Sequence, residues 1–285
     1  SPFSLALIVI VGLSLTGLPV AYSMIGGSIL YLFAAGLDMG TAAEQLLNGM
    51  MGSQLLLAIP LFILAAEFMN TGSIMDRLLR FCNAIVGRFR GGLAQVNVVQ
   101  SIIFASMSGS ALADAAASGK LMQSLMTRDG KYTPAYAAAL TTVSSVIGPI
   151  MPPSIPLVLY ALVSDTSVGY LFLGGVIPGL LLGIVQSGLI AFTARRRNFP
   201  VEERVPLRDL PRITWQAIPA LLMPVILLGC LYGGVTTPTE AAAVAAAYAL
   251  LISAVLYCSI RLQDVYQSLA TSARVTVSIG MLIAG

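Results

Sequence analysis

Long uncharged apolar runs, set off by short polar or basic stretches, organise this chain. Residues 3–36 carry no charge. As one helix they would extend roughly 50 Å at about 1.5 Å per residue, against a hydrocarbon core of about 30 Å. Gly17-Leu18-Pro19 offers a break, so the pattern predicts two short spans, 3–16 and 20–36. A third span runs from Gln54 to Met69. The stretch 70–92 is amphipathic and holds Arg77, Arg80, Arg88 and Arg90 against Asp76. Next come an apolar run rich in small residues (93–119), a short basic loop with Arg128 and Lys131, an apolar run broken at Gly148-Pro149 (133–163) and a long span (169–194). Arg195-Arg196-Arg197 opens a polar linker to Trp215. Two spans follow, 216–233 and 240–258, then an amphipathic 261–274 and the start of another span.

Composition decides what these runs are. Of 285 residues, 57% are hydrophobic and 9% charged, with a mean hydropathy of +0.90. A soluble domain carries about 25% charge, so there is too little polar surface here to cover an aqueous exterior. The fold class expected is an all-α polytopic membrane protein. Histidine is absent, which excludes His-based triads and HExxH zinc sites. Cys82, Cys230 and Cys258 are far apart and form no CxxC, so neither a disulfide framework nor a thiol redox site is indicated. The net charge of +3 comes from clustered loop arginines, not from a nucleic-acid-binding face. No GxxxxGK[ST] occurs, and nothing points to an organic cofactor. Phe3 to Thr16 lacks a basic region before it and a small-residue cleavage site after it, and reads as a span rather than a signal peptide.

Lysine and arginine bias sets the sidedness. The 195–212 linker holds six arginines and the 70–92 arm four, so both are expected in the cytoplasm. The 37–52 loop, with Asp38 and Glu44, and the loop around Asp165 hold none and are expected outside. The loop at Arg128 and Lys131 then lies inside. Residues 93–127 must therefore cross an even number of times, yet about 35 residues are too few for two full spans of about 20 plus a loop. The economical solution is a re-entrant hairpin turning near Ser108-Gly109-Ser110. Such a turn must be buried in protein or line a water-filled cavity.

Residues 1–63 and 220–282 share a pattern at an offset of 219: Pro19 falls on Pro238, 41–53 on 260–272, and the next span start on Thr276. By the sidedness above, the two copies enter the membrane from opposite faces, an inverted-topology repeat of the kind transporters use. The first repeat is expected over 1–200, the linker over 201–215, and the start of a second repeat over 216–285. Its own hairpin is expected beyond Gly285.

Two segments carry candidate chemistry: Ala105 to Asp114, and Ser144 to Ser154 with its three prolines in five residues. Each proline removes a backbone N–H and clashes with the preceding turn. The carbonyls of Ile147, Gly148 and Met151 are then freed and, with serine hydroxyls, supply neutral oxygens suited to Na⁺. The half-helix N-termini beyond Ser110 and Ser154 present N–H groups and a positive dipole end that suit a carboxylate. Blander readings stand beside these: small residues for close packing, a proline kink, and Asp114 as a hairpin-capping carboxylate. Glu67 reads as an interfacial charge, Glu240 as part of a helix N-terminal cap with Thr239, and Trp215 as an interface anchor.

The motifs 106–117 (SMSGSALADAAA), 148–154 (GPIMPPS) and 237–246 (TPTEAAAVAA), with 59–65 (IPLFILA) and 175–179 (GVIPG), resemble the large membrane subunit of TRAP transporters, the tripartite ATP-independent periplasmic family. The resemblance runs over essentially the whole chain. It implies an inverted-repeat, elevator-type, Na⁺-driven importer of organic acids in the bacterial inner membrane. Its partners would be a small four-helix membrane subunit and a periplasmic solute-binding protein. Carried over residue by residue, it implies Na⁺ ligands at Ser106, Ser108, Ser110, Gly148, Met151 and Pro152, and solute contacts at Ser110, Asp114 and Ser154. A stand-alone carboxylate transporter of similar fold is the nearest rival. An intramembrane protease lacks its motif contexts, and a channel would need a continuous pore.

Overall fold

The computed structural model describes residues 2–51, 54–70, 72–197, 199, 201, 205–206 and 208–284. Among them every regular element is helical, and there is no strand. In chain order these are α1 (Pro2–Leu15), α2 (Val20–Ala35), α3 (Gly40–Met51), a 3-10 turn (Gln54–Leu57) leading into α4 (Ala58–Met69), and α5 (Gly72–Val86). Then come α6 (Gly92–Ser108), α7 (Ala111–Thr127), a 3-10 turn (Arg128–Gly130), α8 (Pro134–Ser145), α9 (Ile155–Ser164) and α10 (Val168–Arg197). The last are α11 (Leu210–Tyr232), α12 (Pro238–Leu251), a π-turn (Ile252–Leu256) and α13 (Leu262–Ala284). Of the linker expected at 201–215, residues 202–204 and 207, Arg204 included, lie outside the described residues, and its last six residues already belong to α11.

Each predicted break is present. Gly17 takes φ +94° and Pro19 caps α2, so the first uncharged run is two helices. Among the described residues three single helices are long and apolar enough to cross a membrane, α10, α11 and α12 with its π-turn, and α4 and α5 qualify as a pair bent by 74°. Large apolar side chains stand exposed on α1 (Ile8), α9 (Val163) and α10 (Tyr170, Ile177 and Ile184). In water that surface would drive aggregation; in a bilayer it faces acyl chains.

The core is built on α4. Ala58, Ile59, Phe62, Ile63, Ala65, Ala66, Phe68 and Met69 are all buried. Against it lies α12, whose buried face is alanine alone: Ala241, Ala242, Ala245, Ala246 and Ala249. Small residues let the two backbones close in, which is how membrane helices gain dispersion contacts without a hydrophobic drive. Ser253, in the π-turn, donates to the Phe68 carbonyl at 2.9 Å and to the Ala249 carbonyl at 2.7 Å. Ser272 of α13 donates to the Pro60 carbonyl at 2.9 Å.

Two expectations are corrected. The amphipathic 261–274 and the following span are one continuous helix, α13. The corresponding stretch of the first copy carries Gly49 and Gly52, whereas 262–279 has no glycine or proline, so nothing interrupts the helix. The cap of α12 is Thr237, not Thr239. Thr237 accepts from the Glu240 N–H at 3.3 Å, and Glu240 accepts from the Thr237 N–H at 2.7 Å, a reciprocal box with Pro238 at the first helical position.

The basic segments share one end of the molecule. Phe199, just past Arg195–Arg197, packs on Tyr132 and Tyr136, just past Arg128 and Lys131, with ring centroids 4.8 and 4.9 Å apart. Gly91, after Arg88 and Arg90, lies against Ile190 and Ala194 near the end of α10. Arg77 stacks on Tyr257 at 4.3 Å, and the Tyr257 hydroxyl donates to the Gln216 carbonyl near the start of α11. Both ends of the α6–α7 hairpin therefore lie on this basic face.

Candidate functional site at the crossing of two helix breaks

The hairpin helices α6 and α7 have 17 residues each, about 25 Å at 1.5 Å per residue. The tip therefore stands about 25 Å from the basic face, less than the roughly 30 Å of a hydrocarbon core. Gly109 ends α6 in the left-handed region at φ +60°, which a side chain would disfavour. Ser110 then turns the chain into α7 as an extended N-cap whose hydroxyl accepts from the Ala113 N–H at 3.3 Å.

The second break repeats this design. α8 stops at Ser145, residues 146–154 run as turns, and Ser154 starts α9 as an extended N-cap accepting from the Leu157 N–H at 3.3 Å. The Ser154 hydroxyl also donates to the Pro149 carbonyl. The loop's own N–H groups are used in turns: Ile150 and Met151 both donate to the Ile147 carbonyl, at 3.1 and 2.9 Å. Ile147 is therefore not a freed carbonyl, contrary to the sequence expectation, because the turn folds back onto it. The carbonyls of Gly148 and Met151 accept no backbone hydrogen bond of this loop among the described residues.

The two breaks cross backbone to backbone. A Cβ on Gly148 would lie 2.9 Å from the Ser110 carbonyl carbon and 3.0 Å from the Ala111 nitrogen, and one on Gly109 would strike the Pro153 carbonyl. Ser108, Ser110, Gly148 and Ser154 are thus brought together, with Pro152 and Ser154 buried and Met151 half-buried in the same loop. The Ser106 hydroxyl donates to the Ile103 carbonyl at 2.6 Å, and Ser108 receives the Ser110 N–H at 3.5 Å. Ser106, its proton given to the backbone, keeps both lone pairs for a cation, while Ser108 and Ser110 each accept one N–H and keep a second lone pair.

Asp114 sits one turn inside α7 and is 1% exposed. Its Oδ1 accepts from Ser118 at 2.7 Å and Ser101 faces it, while Oδ2 has no partner among the described residues. Nearby, Asn97 and Ser101 of α6 each donate to the Ser144 hydroxyl at 3.1 Å. This polar chain was not anticipated. The signal was the run of buried polar positions 97, 101 and 108 along α6, close to helical spacing, within an otherwise apolar and small-residue run.

α10 backs both breaks through a glycine stripe. Gly175 faces the Ile150 carbonyl and Leu157, Gly179 would place a Cβ 2.9 Å from the Met151 sulfur, and Gly183 faces Ile102. Gln95 donates to the Ser187 carbonyl at 2.9 Å and Gln186 to the Val143 carbonyl at 3.1 Å, tying α10 to α6 and α8.

Residues 7–285 match the family model described as the tripartite ATP-independent periplasmic transporter, DctM component. The sialic acid TRAP transporter large permease protein SiaM of Vibrio cholerae is 38% identical over 275 residues, 96% of this chain and 64% of that protein. The C4-dicarboxylate TRAP transporter large permease protein DctM of the same organism is 41% identical over 255 residues, 89% of this chain and 56% of that one. The 2,3-diketo-L-gulonate TRAP transporter large permease protein YiaN of Escherichia coli is 36% identical, with 94% and 63% covered. The chain thus spans between about half and two thirds of the length of these relatives.

Proposed function

The chain belongs to the DctM component family of tripartite ATP-independent periplasmic transporters, and from that premise we propose that it forms part of the permease of a Na⁺-driven importer of organic acids. The observation that carries the ion reading is the crossing of the two breaks. It sets serine oxygens of one hairpin beside a loop whose Gly148 and Met151 carbonyls accept no backbone hydrogen bond of that loop. Neutral oxygens at close quarters replace the hydration shell of a weakly polarising monovalent cation. Ser106, Ser108, Ser110, Gly148, Met151 and Pro152 would contribute them.

Asp114 belongs with the ion in this scheme. Its buried carboxylate would repel a carboxylate solute, whereas a cation beside it offsets the cost of burying the charge. Solute contacts then rest on Ser110 and Ser154 and the helix N-termini they cap, whose N–H groups and dipoles favour an anion. The relatives are named for sialic acid, C4-dicarboxylate and 2,3-diketo-L-gulonate, solutes that share a carboxylate. That common element is what such an N-terminal pair can hold. The basic face lies in the cytoplasm of a bacterial inner-membrane protein. A small four-helix membrane subunit and a periplasmic solute-binding protein complete the importer. The unit of α6 to α10, tied by the glutamine bonds and the glycine stripe, travels as one body in an elevator stroke.

The test is uptake by the full-length complex in proteoliposomes. An inward Na⁺ gradient should drive it, and Ser108→Ala, which changes volume little, should raise the half-saturating Na⁺ several-fold while assembly persists. Equal uptake in Na⁺-free buffer, or uptake that requires ATP, would overturn the proposal.

A further inference from the structure

On the basic face a cavity of about 290 Å³ opens where the arm α5 meets the base of the hairpin. Arg80 and Asn83 of α5 line one side, and Arg128 and Lys131 of the loop after α7 the other, while leucines of α5, α6 and α7 form the apolar part of the wall. Three cationic residues converge here, and no carboxylate lines the cavity among the described residues. Neither Arg80 nor Arg128 has an acidic partner among them, and both are exposed. A guanidinium from the arm and one from the loop line the same cavity, and a bound anion would bridge them. The cavity is separate from the crossing of the breaks, which lies a hairpin's length away, about 25 Å for 17 residues.

The chemistry of the wall selects the anion. Arginine forks and a lysine ammonium match phosphate oxygens, and the leucines offer apolar surface directly beside them. Ile85 near the end of the arm and Phe89 just after it are exposed, which suits a segment that lies where headgroups meet acyl chains. An anion that is phosphate at one end and hydrocarbon at the other fits both parts. We propose that this cavity binds the phosphodiester headgroup of an anionic phospholipid from the cytoplasmic leaflet, bridging the arm and the hairpin base. The assignment rests on the cytoplasmic placement of the basic face, and not on the nature of the coupling ion.

The experiment is native mass spectrometry of the full-length chain with its membrane partner subunit, in detergent, titrated with phosphatidylglycerol or phosphatidylethanolamine. Phosphatidylglycerol should be retained in preference, and the double variant Arg80→Gln/Arg128→Gln should lose about five-fold in affinity per arginine removed. The pair Arg195→Gln/Arg196→Gln, on the same face but outside the cavity, should retain the preference. Arg128→Gln alone, a change in an exposed loop, gives the same reading without disturbing a helix. Unchanged phosphatidylglycerol retention in the double variant and in Arg128→Gln would overturn the proposal. So would displacement of the lipid by millimolar inorganic phosphate, which would make the site one for a soluble anion. Labelling of Ser124→Cys by an impermeant maleimide separately reads sidedness: reaction only from the periplasm would overturn the leaflet assignment, whatever the outcome of the Na⁺ test.

Discussion

Small residues bring two backbones together both where α4 meets α12 and where the hairpin tip meets the broken helix, but the two contacts spend that closeness differently. In the α4–α12 seam the partners are regular helices with their main-chain hydrogen bonds satisfied internally, and alanines make the surface flat. At the crossing the partners are irregular, and glycines 109 and 148 stand where any side chain would meet main chain. The seam contributes dispersion and holds the molecule together. The crossing gives up helical regularity and sets serine oxygens beside a loop whose Gly148 and Met151 carbonyls accept no backbone hydrogen bond of that loop. Close approach in a membrane protein is therefore not a single signal; what decides its meaning is whether the backbone on either side is still helical.

The largest effect is expected at the crossing. Gly109→Val puts a β-branched side chain at φ +60° and drives Cβ into the Pro153 carbonyl, and uptake per assembled complex should fall to background. Near-wild-type uptake would show that the tip has room and would dissolve the distinction between the two contacts. In the seam, Ala245→Leu overpacks a 1% exposed position and should cost about 1–3 kcal/mol. It should be read as lower thermal stability with an unchanged half-saturating Na⁺ in the fraction that assembles; a shifted Na⁺ dependence would couple the seam to the ion. The smallest effect is Ser253→Ala, which removes the hydrogen bond to the Phe68 carbonyl at 2.9 Å. A loss of about 1 kcal/mol or less is expected in a melting experiment, with transport unchanged.

The breaks were legible in the sequence because glycine, proline and the absence of charge act locally. Gly17-Leu18-Pro19, Ser108-Gly109-Ser110 and the proline cluster after Gly148 each mark a point the structure turns at. The hairpin followed from charge parity rather than from any residue in it. What escaped depends on partners that no local pattern names. The Ser144 hydroxyl meets Asn97 and Ser101, 47 and 43 residues away. The reuse of the Ile147 carbonyl follows from the exact fold of the turn, and the cap at Thr237 from the position of Pro238. The continuity of α13 is carried by an absence, since no breaker stands between its amphipathic and apolar halves, whose different patterns look like separate elements.

The glycine stripe on α10 has a mechanical consequence. Gly175, Gly179 and Gly183 are notches into which Ile150, Met151 and Ile102 fit, so the helix acts as a template for the loop. Without Arg195–Arg197, α10 is about 40 Å long, over a hydrocarbon thickness of about 30 Å, and a span of that length is accommodated by leaning, with Pro178 offering a kink. Its lean sets where the notches lie, and the main chain of Ile150 and Met151 goes with them. Hydrophobic mismatch at α10 would therefore reach the loop's main chain through these notches, so that bilayer thickness would act on the proposed ion site at second hand.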